Sequence, residues 1–242
     1  MRVVDAVWEK RNLGVTTTEI TIEKEDILAD VDLKMSEINS EYTVVKIPSE
    51  LDGFLAYFQD KGYTFVEDMI HIEHDLKEYP MNPIVKRLYD KTSFRRMNDE
   101  DYKQMQDEIS KGMFSSDRVS RDKSFDSELA AKRYVNWTDD LNRQGALFYV
   151  ITYGDEGVGF VVLSTKDGVS YESVLGGGYE KYRKTGMGII QKEQEITRSL
   201  GGKRVTTSVS SNNVNQFRAL ILNGYKPYSI DHILVKHKEA CV

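Results

Sequence analysis

Cysteine, proline and long apolar runs are scarce in this sequence of 242 residues. The single cysteine, Cys241, stands next to the last residue, so the chain cannot close an internal disulfide, and a reducing compartment is expected. No apolar run approaches the roughly 20 residues that span a bilayer, and residues 1–10 lack the apolar core of a secretory signal. Four prolines and 40% hydrophobic residues exclude a disordered or collagen-like chain. These absences predict a globular, cytoplasmic protein that does not enter a membrane.

The charge balance and the histidines argue against two further classes of function. The chain carries 39 acidic and 33 basic residues, and the resulting net charge of −6 disfavours general nucleic-acid binding. His71 and His74 lie in a segment whose apolar alternation predicts a strand, which would point the two rings to opposite faces. No cysteine or aspartate cluster accompanies them, and His232 and His237 are isolated. We therefore expect no metal site.

Two prolines mark the best candidate for a boundary between two units. Pro80 and Pro83 both fall in the short stretch 78–83. The sequence therefore predicts an N-terminal domain over residues 1–79 and a second domain over residues 84–242.

The N-terminal unit alternates strands and helices. Strands are predicted over 17–23 and 41–48, and apolar residues at i, i+3, i+4 and i+7 from Leu51 predict a helix capped by Ser49 that stops at Gly62. A faint internal repeat connects this unit to the end of the chain: residues 51–65 and 214–228 share the order helix, Gly-Tyr, strand.

The second unit shows the same alternation over a longer stretch. Its first strand is predicted at Ile84–Tyr89 or at Ser93–Met97, and an acidic start predicts a helix after Asn98. The elements expected after the polar loop at 112–118 are a helix through Ala130, Tyr134, Trp137 and Leu141, strands at 146–152, 158–164 and 170–178, a helix from Ile189, a strand at 204–210, a helix led by Asn212 or Asn213, and a final strand through Val235.

The most informative segment is the turn between the strand ending at Gly178 and the helix from Ile189. A glycine-containing turn that opens a helix directs free backbone N–H groups and the positive end of the helix dipole at one point, which suits a phosphate. Gly186 and Gly188 allow close approach, while Arg183 and Lys184 add positive charge. The segment has neither the Gly-Lys-Ser/Thr ending of a P-loop nor the third glycine of a dinucleotide-binding turn.

The order of these elements resembles the GNAT superfamily of acetyltransferases. Its hallmark is an Arg/Gln-x-x-Gly-x-Gly/Ala loop after a long central strand, followed by a helix, a strand, an Asn-led helix and Gly-Phe/Tyr. Here these are Arg183 to Gly188, residues 204–210, Asn213 and Gly224-Tyr225. The resemblance implies an α/β fold with a mixed, mostly antiparallel central sheet flanked by helices.

Within that superfamily the chain is similar to the dTDP-fucosamine acetyltransferases, which act on a sugar nucleotide. The similarity covers the segment from Trp8 to Val15, the unit from Leu51 to Phe65, and residues 133–137. Those enzymes carry a truncated GNAT-like half without a coenzyme motif before the catalytic half. The same arrangement would explain the internal repeat.

The resemblance also implies where acetyl-CoA binds as co-substrate, with no metal. Its pyrophosphate would lie on the N–H groups of Thr185, Gly186, Met187 and Gly188. Leu175, Gly176 and Gly177 would face the pantetheine and the thioester, and a backbone N–H there would polarise the thioester carbonyl. Asn213 matches a position that contacts the coenzyme, although it also suits a plain helix cap. The alternative for the three-residue stretch is a flexible strand end.

For the chemistry, Glu172 on the central strand is the first choice of base, with an exposed strand carboxylate as the alternative. The sequence departs from the family at Leu220, four residues before Gly224, where many members place a tyrosine that protonates the departing thiolate. Leucine cannot donate a proton. Tyr179 or Tyr228 would then supply it, or the thiolate leaves unaided, or the protein is not an active acetyltransferase.

The acceptor is expected beyond the thioester, against the loop from Met113 to Arg118 and the helix with Tyr134 and Trp137. Arg118 would bind a phosphate or carboxylate of the acceptor, or else is a solvated loop charge. The prediction is N-acetyl transfer to a small-molecule primary amine, such as an amino sugar nucleotide. The alternatives are an amino acid, polyamine or protein amine, and a noncatalytic acyl-CoA-binding protein. A homodimer is compatible with each.

Overall fold

The computed structural model describes residues 1–238, so Cys241 lies outside the described residues. Strands and helices alternate along the chain. The strands are β1 (Arg2–Asp5), β2 (Thr17–Thr21), β3 (Tyr42–Pro48), β4 (Thr64–His74), β5 (Thr92–Arg96), β6 (Leu147–Tyr153), β7 (Glu156–Thr165), β8 (Ser170–Gly178), β9 (Arg204–Ser210) and β10 (Lys226–His237). The helices are α1 (Val7–Leu13), α2 (Leu28–Ser36), α3 (Asp52–Asp60), α4 (Pro83–Tyr89), α5 (Asp99–Ser110), α6 (Arg118–Arg121), α7 (Ser127–Arg143), α8 (Ile189–Ser199) and α9 (Val214–Leu222).

These strands form one sheet in the order β1-β2-β3-β10-β4-β9-β8-β7-β6-β5. The pairs β2–β3 and β8–β9 are parallel, and the remaining neighbours run antiparallel. The last strand, β10, lies between β3 and β4, so the end of the chain completes the sheet of its beginning. The predicted fold class, a mostly antiparallel sheet flanked by helices, is confirmed.

Two of the local predictions need correction. Ile84–Tyr89 lies in helix α4, because Asn82 accepts a hydrogen bond from the N–H of Ile84 and Pro83 suits the first helical position. The first strand of the second unit is therefore β5, close to the other predicted range. Ser49 does not cap α3: its N–H donates to the carbonyl of Ile230 beside the sheet, and Leu51 occupies the cap position without a side-chain bond.

Helices cover both faces of the sheet. On one face, Ala130 of α7 packs on Val44 of β3 and Val235 of β10, while Tyr134 of the same helix packs on Phe160 of β7. We call this the α7 face. On the opposite face, which we call the α8 face, α8 packs on β7 and β8, and α9 packs on β9. Among residues 1–238, no helix has the length and apolar character needed to cross a membrane.

Candidate functional site

The parallel strands β8 and β9 separate soon after they begin to pair. Only Ser170, Tyr171 and Glu172 of β8 have partners on β9, at Arg204, Val205 and Thr206. Beyond them, the hydroxyl of Thr207 still donates to the carbonyl of Ser173 at 2.9 Å, and no further pairing follows. The remainder of β8, Val174 to Gly178, therefore presents backbone groups to an open cleft instead of to a neighbouring strand.

A β-bulge lies at the point of separation. The register between β7 and β8 shifts there, because Leu163 pairs with Ser173 and Val162 pairs with Leu175, which leaves Val174 as the extra residue. A bulge bends its strand and interrupts pairing. The bulge is followed directly by Leu175, Gly176 and Gly177, the stretch predicted to face the pantetheine and thioester. A side chain at Gly177 would meet the sulfur of Met113, so the loop after α5 lies against this stretch.

The turn between β8 and α8 has the backbone of a phosphate cradle. Gly186, Met187 and Gly188 all have positive φ, at 69°, 35° and 68°. Glycine adopts this region without strain, whereas Met187 is held in it by its buried side chain, which packs in the core beneath the turn. The N–H groups of these three residues donate to no acceptor among residues 1–238. The N–H of Thr185, predicted as a fourth donor, is instead bonded to the carbonyl of Tyr182.

The space around the turn fits a phosphate group. A Cβ added at Gly186 would meet no atom within 4 Å, so the region above this residue is open. A Cβ at Gly188 would lie 2.9 Å from that of Tyr89, so this glycine is required by the packing of α4. Helix α8 adds the positive end of its dipole at the same point. The cradle therefore has unpaired donors, open space and favourable charge in one place.

A small depression of about 210 Å³ brings several predicted residues together. It is lined by Met113, Ser115, Ser116, Arg121, Arg183, Asn212 and Asn213. Arg183 comes from the turn before α8, and Asn213 is the N-cap of α9, where its side chain accepts from the N–H of Gln216. The depression thus joins the glycine turn, the start of α9 and the loop after α5. Arg121 and Asn212 line the depression but were not predicted as site residues.

Glu172 lies on the α7 face at the last pair before β8 and β9 separate, and it is exposed. Tyr228 is also exposed, at 57%. Partial burial and the carboxylates of Glu73 and Glu172 raise the pKa of the Tyr228 phenol. Glu172 and Tyr228 lie on strands that are separated by β9 and β4, and the Tyr228 ring centroid lies 6.1 Å from that of His71.

The third residue predicted to handle protons, Tyr179, is separated from them. Its side chain belongs to the core formed with α5 and α7, and its hydroxyl is buried without a partner among residues 1–238. Burial and the carboxylates of Asp101 and Glu108 raise the pKa of this phenol. Leu220 is 2% exposed and packs with Ile72, Val209 and Tyr225. It is a core residue, and a tyrosine in its place would overpack that core.

Arg118 is not a solvated loop charge, and its guanidinium is already engaged by carboxylates. It begins α6, and its Nη2 lies 2.6 Å from a carboxylate oxygen of Glu19 and 3.1 Å from one of Glu9. Arg133 also binds Glu9, at 2.8 Å. Although burial opposes ionisation, Arg118 and Lys46 hold the pKa of Glu19 at about 2. The predicted role of Arg118 as an anion ligand for the acceptor required a free cation, and this guanidinium is instead paired with two carboxylates.

Tyr134 packs against the loop after α5, and Trp137 packs against Tyr134. Tyr134 is 9% exposed, and its ring centroid lies 4.8 Å from that of Phe114 and 6.0 Å from that of Trp137. They share the apolar core of the α7 face. The structure thus gives Tyr134 a packing contact with the loop and Trp137 a packing contact with Tyr134, while their predicted contact with an acceptor stays a prediction.

A polar array that was not predicted from the sequence lies on the α7 face beside the cleft. His71 of β4 bonds through Nδ1 to the hydroxyl of Ser208 on β9, at 2.8 Å, and through Nε2 to the carboxylate of Asp231 on β10, at 3.0 Å. The alternation of β4 correctly separated His71 from His74, but nothing in the sequence links positions on three different strands. No cluster of three or more His, Cys, Asp and Glu side chains that could hold a metal ion occurs within residues 1–238.

No protein-family model matches the sequence, and no curated protein matches it either. Solved structures do match. A conserved protein of unknown function from Staphylococcus epidermidis is 16% identical with a TM-score of 0.61, over 93% of this chain and 85% of that one. A GCN5-related N-acetyltransferase from Sphaerobacter thermophilus is 15% identical with a TM-score of 0.56, over 86% of this chain and 64% of that one.

A tandem GNAT protein from the clavulanic acid biosynthesis pathway is 11% identical with a TM-score of 0.57, over 93% of this chain and 76% of that one. At such identities the likeness concerns the fold alone. The chain therefore has the fold of the GCN5-related N-acetyltransferases.

Proposed function

We propose that this protein is an acetyl-CoA-dependent N-acetyltransferase that acts on a primary amine. The observation that carries the proposal is the coincidence of two features: strands β8 and β9 separate after three pairs, and a turn with three N–H groups that have no acceptor among residues 1–238 lies at the far end of the separated strand. A ligand with a diphosphate at one end and a thioester at the other suits this arrangement. The GNAT fold supports the same function.

Residues of the second unit would hold the coenzyme. The N–H groups of Gly186, Met187 and Gly188 would bind the pyrophosphate, with Arg183 and Lys184 adding positive charge and Asn213 contacting the coenzyme from α9. The N–H groups of β8 between Leu175 and Gly177 would polarise the thioester carbonyl, because that strand edge faces no neighbouring strand. Acetyl-CoA supplies the activated acetyl group.

The reaction is direct attack of the amine on the thioester in a ternary complex. The C–N bond forms, the C–S bond breaks with its electron pair on sulfur, and the attacking nitrogen loses a proton. Glu172 is positioned to attract the acceptor ammonium and to take part in removing that proton, because it is exposed at the point of separation. The thiolate takes its proton from water or from Tyr228, since Leu220 is buried and apolar.

The charge of the α7 face bears on the acceptor. Glu73, Glu172 and Asp231 face this region, and the cations beside them are Arg204, which bonds to Glu73 at 3.3 Å, and Lys226, which lies in register with Glu73. With Arg118 engaged by Glu9 and Glu19, an excess of carboxylates favours a cationic amine, such as a polyamine or a lysine side chain. An amino sugar nucleotide, which carries a diphosphate of its own, is the second candidate for the acceptor.

The test is acetyl transfer from isotope-labelled acetyl-CoA to a panel of amines. The panel contains spermidine, a lysine peptide, free amino acids, glucosamine and a dTDP-linked amino sugar. Transfer to spermidine or lysine at the highest kcat/KM is the expected result, and a preference for the sugar nucleotide would overturn the acceptor assignment. Binding of acetyl-CoA with no transfer to any amine would favour a noncatalytic acyl-CoA-binding protein.

A further inference from the structure

Three polar side chains on adjacent strands form a continuous chain of hydrogen bonds at the cleft. Asp231 on β10, His71 on β4 and Ser208 on β9 are linked through the two ring nitrogens of the histidine. His71 pairs with Ser208 on one side and with Ser229 on the other, so the array runs across the sheet and not along a strand.

The chemistry of the partners fixes the direction of these bonds. An ionised carboxylate only accepts, so Asp231 must accept the N–H of Nε2. A neutral imidazole carries one proton, which leaves Nδ1 as an acceptor for the Ser208 hydroxyl. The array is therefore ordered as donor to acceptor from the serine to the histidine, with the carboxylate holding the ring in one tautomer.

Ser208 stands at the position where the cleft opens. Thr206 is the last residue of β9 that pairs with β8, and Ser208 is the next residue of β9 that points to the same face. Ser208 is exposed, and Glu172, the partner of Thr206, lies on the same face. At the other end of the array, Asp231 and Tyr228 line a depression of about 550 Å³ that is open to solvent.

We propose that Ser208, His71 and Asp231 form a proton relay that receives the proton of the attacking amine, an inference that rests on the proposed function. As the C–N bond forms, the Ser208 oxygen takes the proton from nitrogen while its own proton passes to Nδ1 of His71. Asp231 stabilises the imidazolium and holds the ring in place, so Asp231 is a positioning residue. The imidazolium then loses its proton to water, and the thiolate takes one from water, which balances the reaction.

The charged and titratable groups around His71 favour this use. They are Glu73 on its own strand, Lys226, Tyr228 and Asp231 on β10, Arg204 on β9 and Glu172 on β8. The three carboxylates outnumber the two cations, so the surroundings of the His71 ring carry a net negative charge. Glu172, in this arrangement, attracts the ammonium form of the acceptor, which loses one proton to water before it attacks, and the relay receives the proton that the nitrogen loses as the C–N bond forms.

The kinetic test compares His71→Asn, Ser208→Ala and Asp231→Asn with His232→Asn. The control is closely matched, because His232 on β10 bonds Asp68 at 2.7 Å through Nδ1 and has a side chain that is 19% exposed. We expect His71→Asn to lower kcat about 100-fold at neutral pH, the lower end of typical base catalysis, with the KM for acetyl-CoA within twofold. The loss should shrink as pH rises, because hydroxide then takes the proton. His232→Asn should stay within twofold of wild type.

A wild-type kcat for His71→Asn at every pH, in an enzyme that does acetylate amines, would overturn the relay and leave the proposed function standing. An acetyl group found on Ser208 by mass spectrometry would also overturn it, since the serine would then be a nucleophile.

A second measurement does not depend on turnover. Nitrogen-15 NMR of the neutral wild-type imidazole should show the proton of His71 on Nε2, and Ser208→Ala should shift the Nδ1 resonance. A proton on Nδ1 would contradict the relay. If no amine is acetylated, the proposed function fails. The NMR result still shows whether the hydrogen bonds of the array run from Ser208 to His71 and from His71 to Asp231.

Discussion

The two halves of the central sheet contain the same succession of elements and differ at one junction. In the first half β2, α2, β3, α3 and β4 follow one another, and in the second half β8, α8, β9, α9 and β10 do so. The first two strands are parallel in both halves, and the last strands, β4 and β10, pair antiparallel at the centre. The likeness extends to the turns before those last strands, where Gly62 and Gly224 have φ of 81° and 85°.

The difference lies between the parallel strands and at the start of the helix that joins them. All five residues of β2 pair with β3, whereas β8 pairs with β9 through three of its nine residues. Helix α2 begins after Ile27, whose backbone is ordinarily extended, whereas α8 begins after three residues with positive φ. The same topology therefore yields a closed sheet in one half and a ligand cleft in the other. We propose the first half as a packing and acceptor unit without coenzyme contacts.

The largest effect is expected from a substitution in the glycine turn, the feature that distinguishes the second half from the first. Gly186→Val should weaken binding of acetyl-CoA at least 100-fold, because its side chain would fill the open space above the cradle. Gly168→Val is the matched control: Gly168 has the same φ of 69° and equally open surroundings, but lies in the β7–β8 connection. Both variants should lose about 1–2 kcal/mol of stability from backbone strain. Equal affinities measured by calorimetry would show that the turn does not bind the coenzyme.

The next effect concerns how the halves are joined. Glu19 of β2 bonds Arg118 of α6, and its pKa of about 2 in the folded chain is below the ordinary value of 4.5. A lowered folded-state pKa stabilises the protein above pH 4.5, and that stability is lost as pH falls toward 2. Glu19→Gln should therefore cost roughly 2–3 kcal/mol at neutral pH in urea unfolding, and this difference should shrink in acid. An unchanged difference at low pH would contradict the assignment.

These two predictions show what the sequence reveals and what it does not. The order of the motifs predicted the turn at Gly186 and the cap at Asn213, because a turn and a helix cap each depend on a few consecutive residues. The bulge at Val174 left no comparable signal, since it depends on how β7 pairs with β8. The engagement of Arg118 by Glu9 and Glu19, and the meeting of His71 with Ser208 and Asp231, depend on tertiary pairing across more than 90 residues.

A smaller effect concerns α2 and α8, the helices that connect the two parallel strands of each half. Helix α2 buries only Val31, whereas α8 buries Glu193, which accepts hydrogen bonds from Ser173 and Tyr225. Burial raises the pKa of this carboxyl above 4.5 in the folded chain. Stability should then decline as pH rises from 4.5 through the folded-state pKa, because the unfolded state releases this proton first. Urea unfolding of Glu193→Gln should lack that decline, and an unaltered pH dependence would contradict a raised folded-state pKa of Glu193.

The smallest effect is expected in the half without a cleft. Gly53 lies near the start of α3, has no positive φ, and a Cβ there would meet no atom within 4 Å. Gly53→Ala should raise the free energy of unfolding by about 0.5–1 kcal/mol, since it restricts the unfolded chain. It should leave the affinity for acetyl-CoA unchanged. A changed affinity would mean that the first half contributes to the coenzyme site.

The most direct measurement is a crystal structure of the protein with coenzyme A. We expect the pyrophosphate within hydrogen-bond distance of the N–H groups of Met187 and Gly188, with the pantetheine running between β8 and β9. Phosphates bound at the start of α2, or a coenzyme outside the cleft between β8 and β9, would contradict the claim that the second half alone forms the coenzyme site.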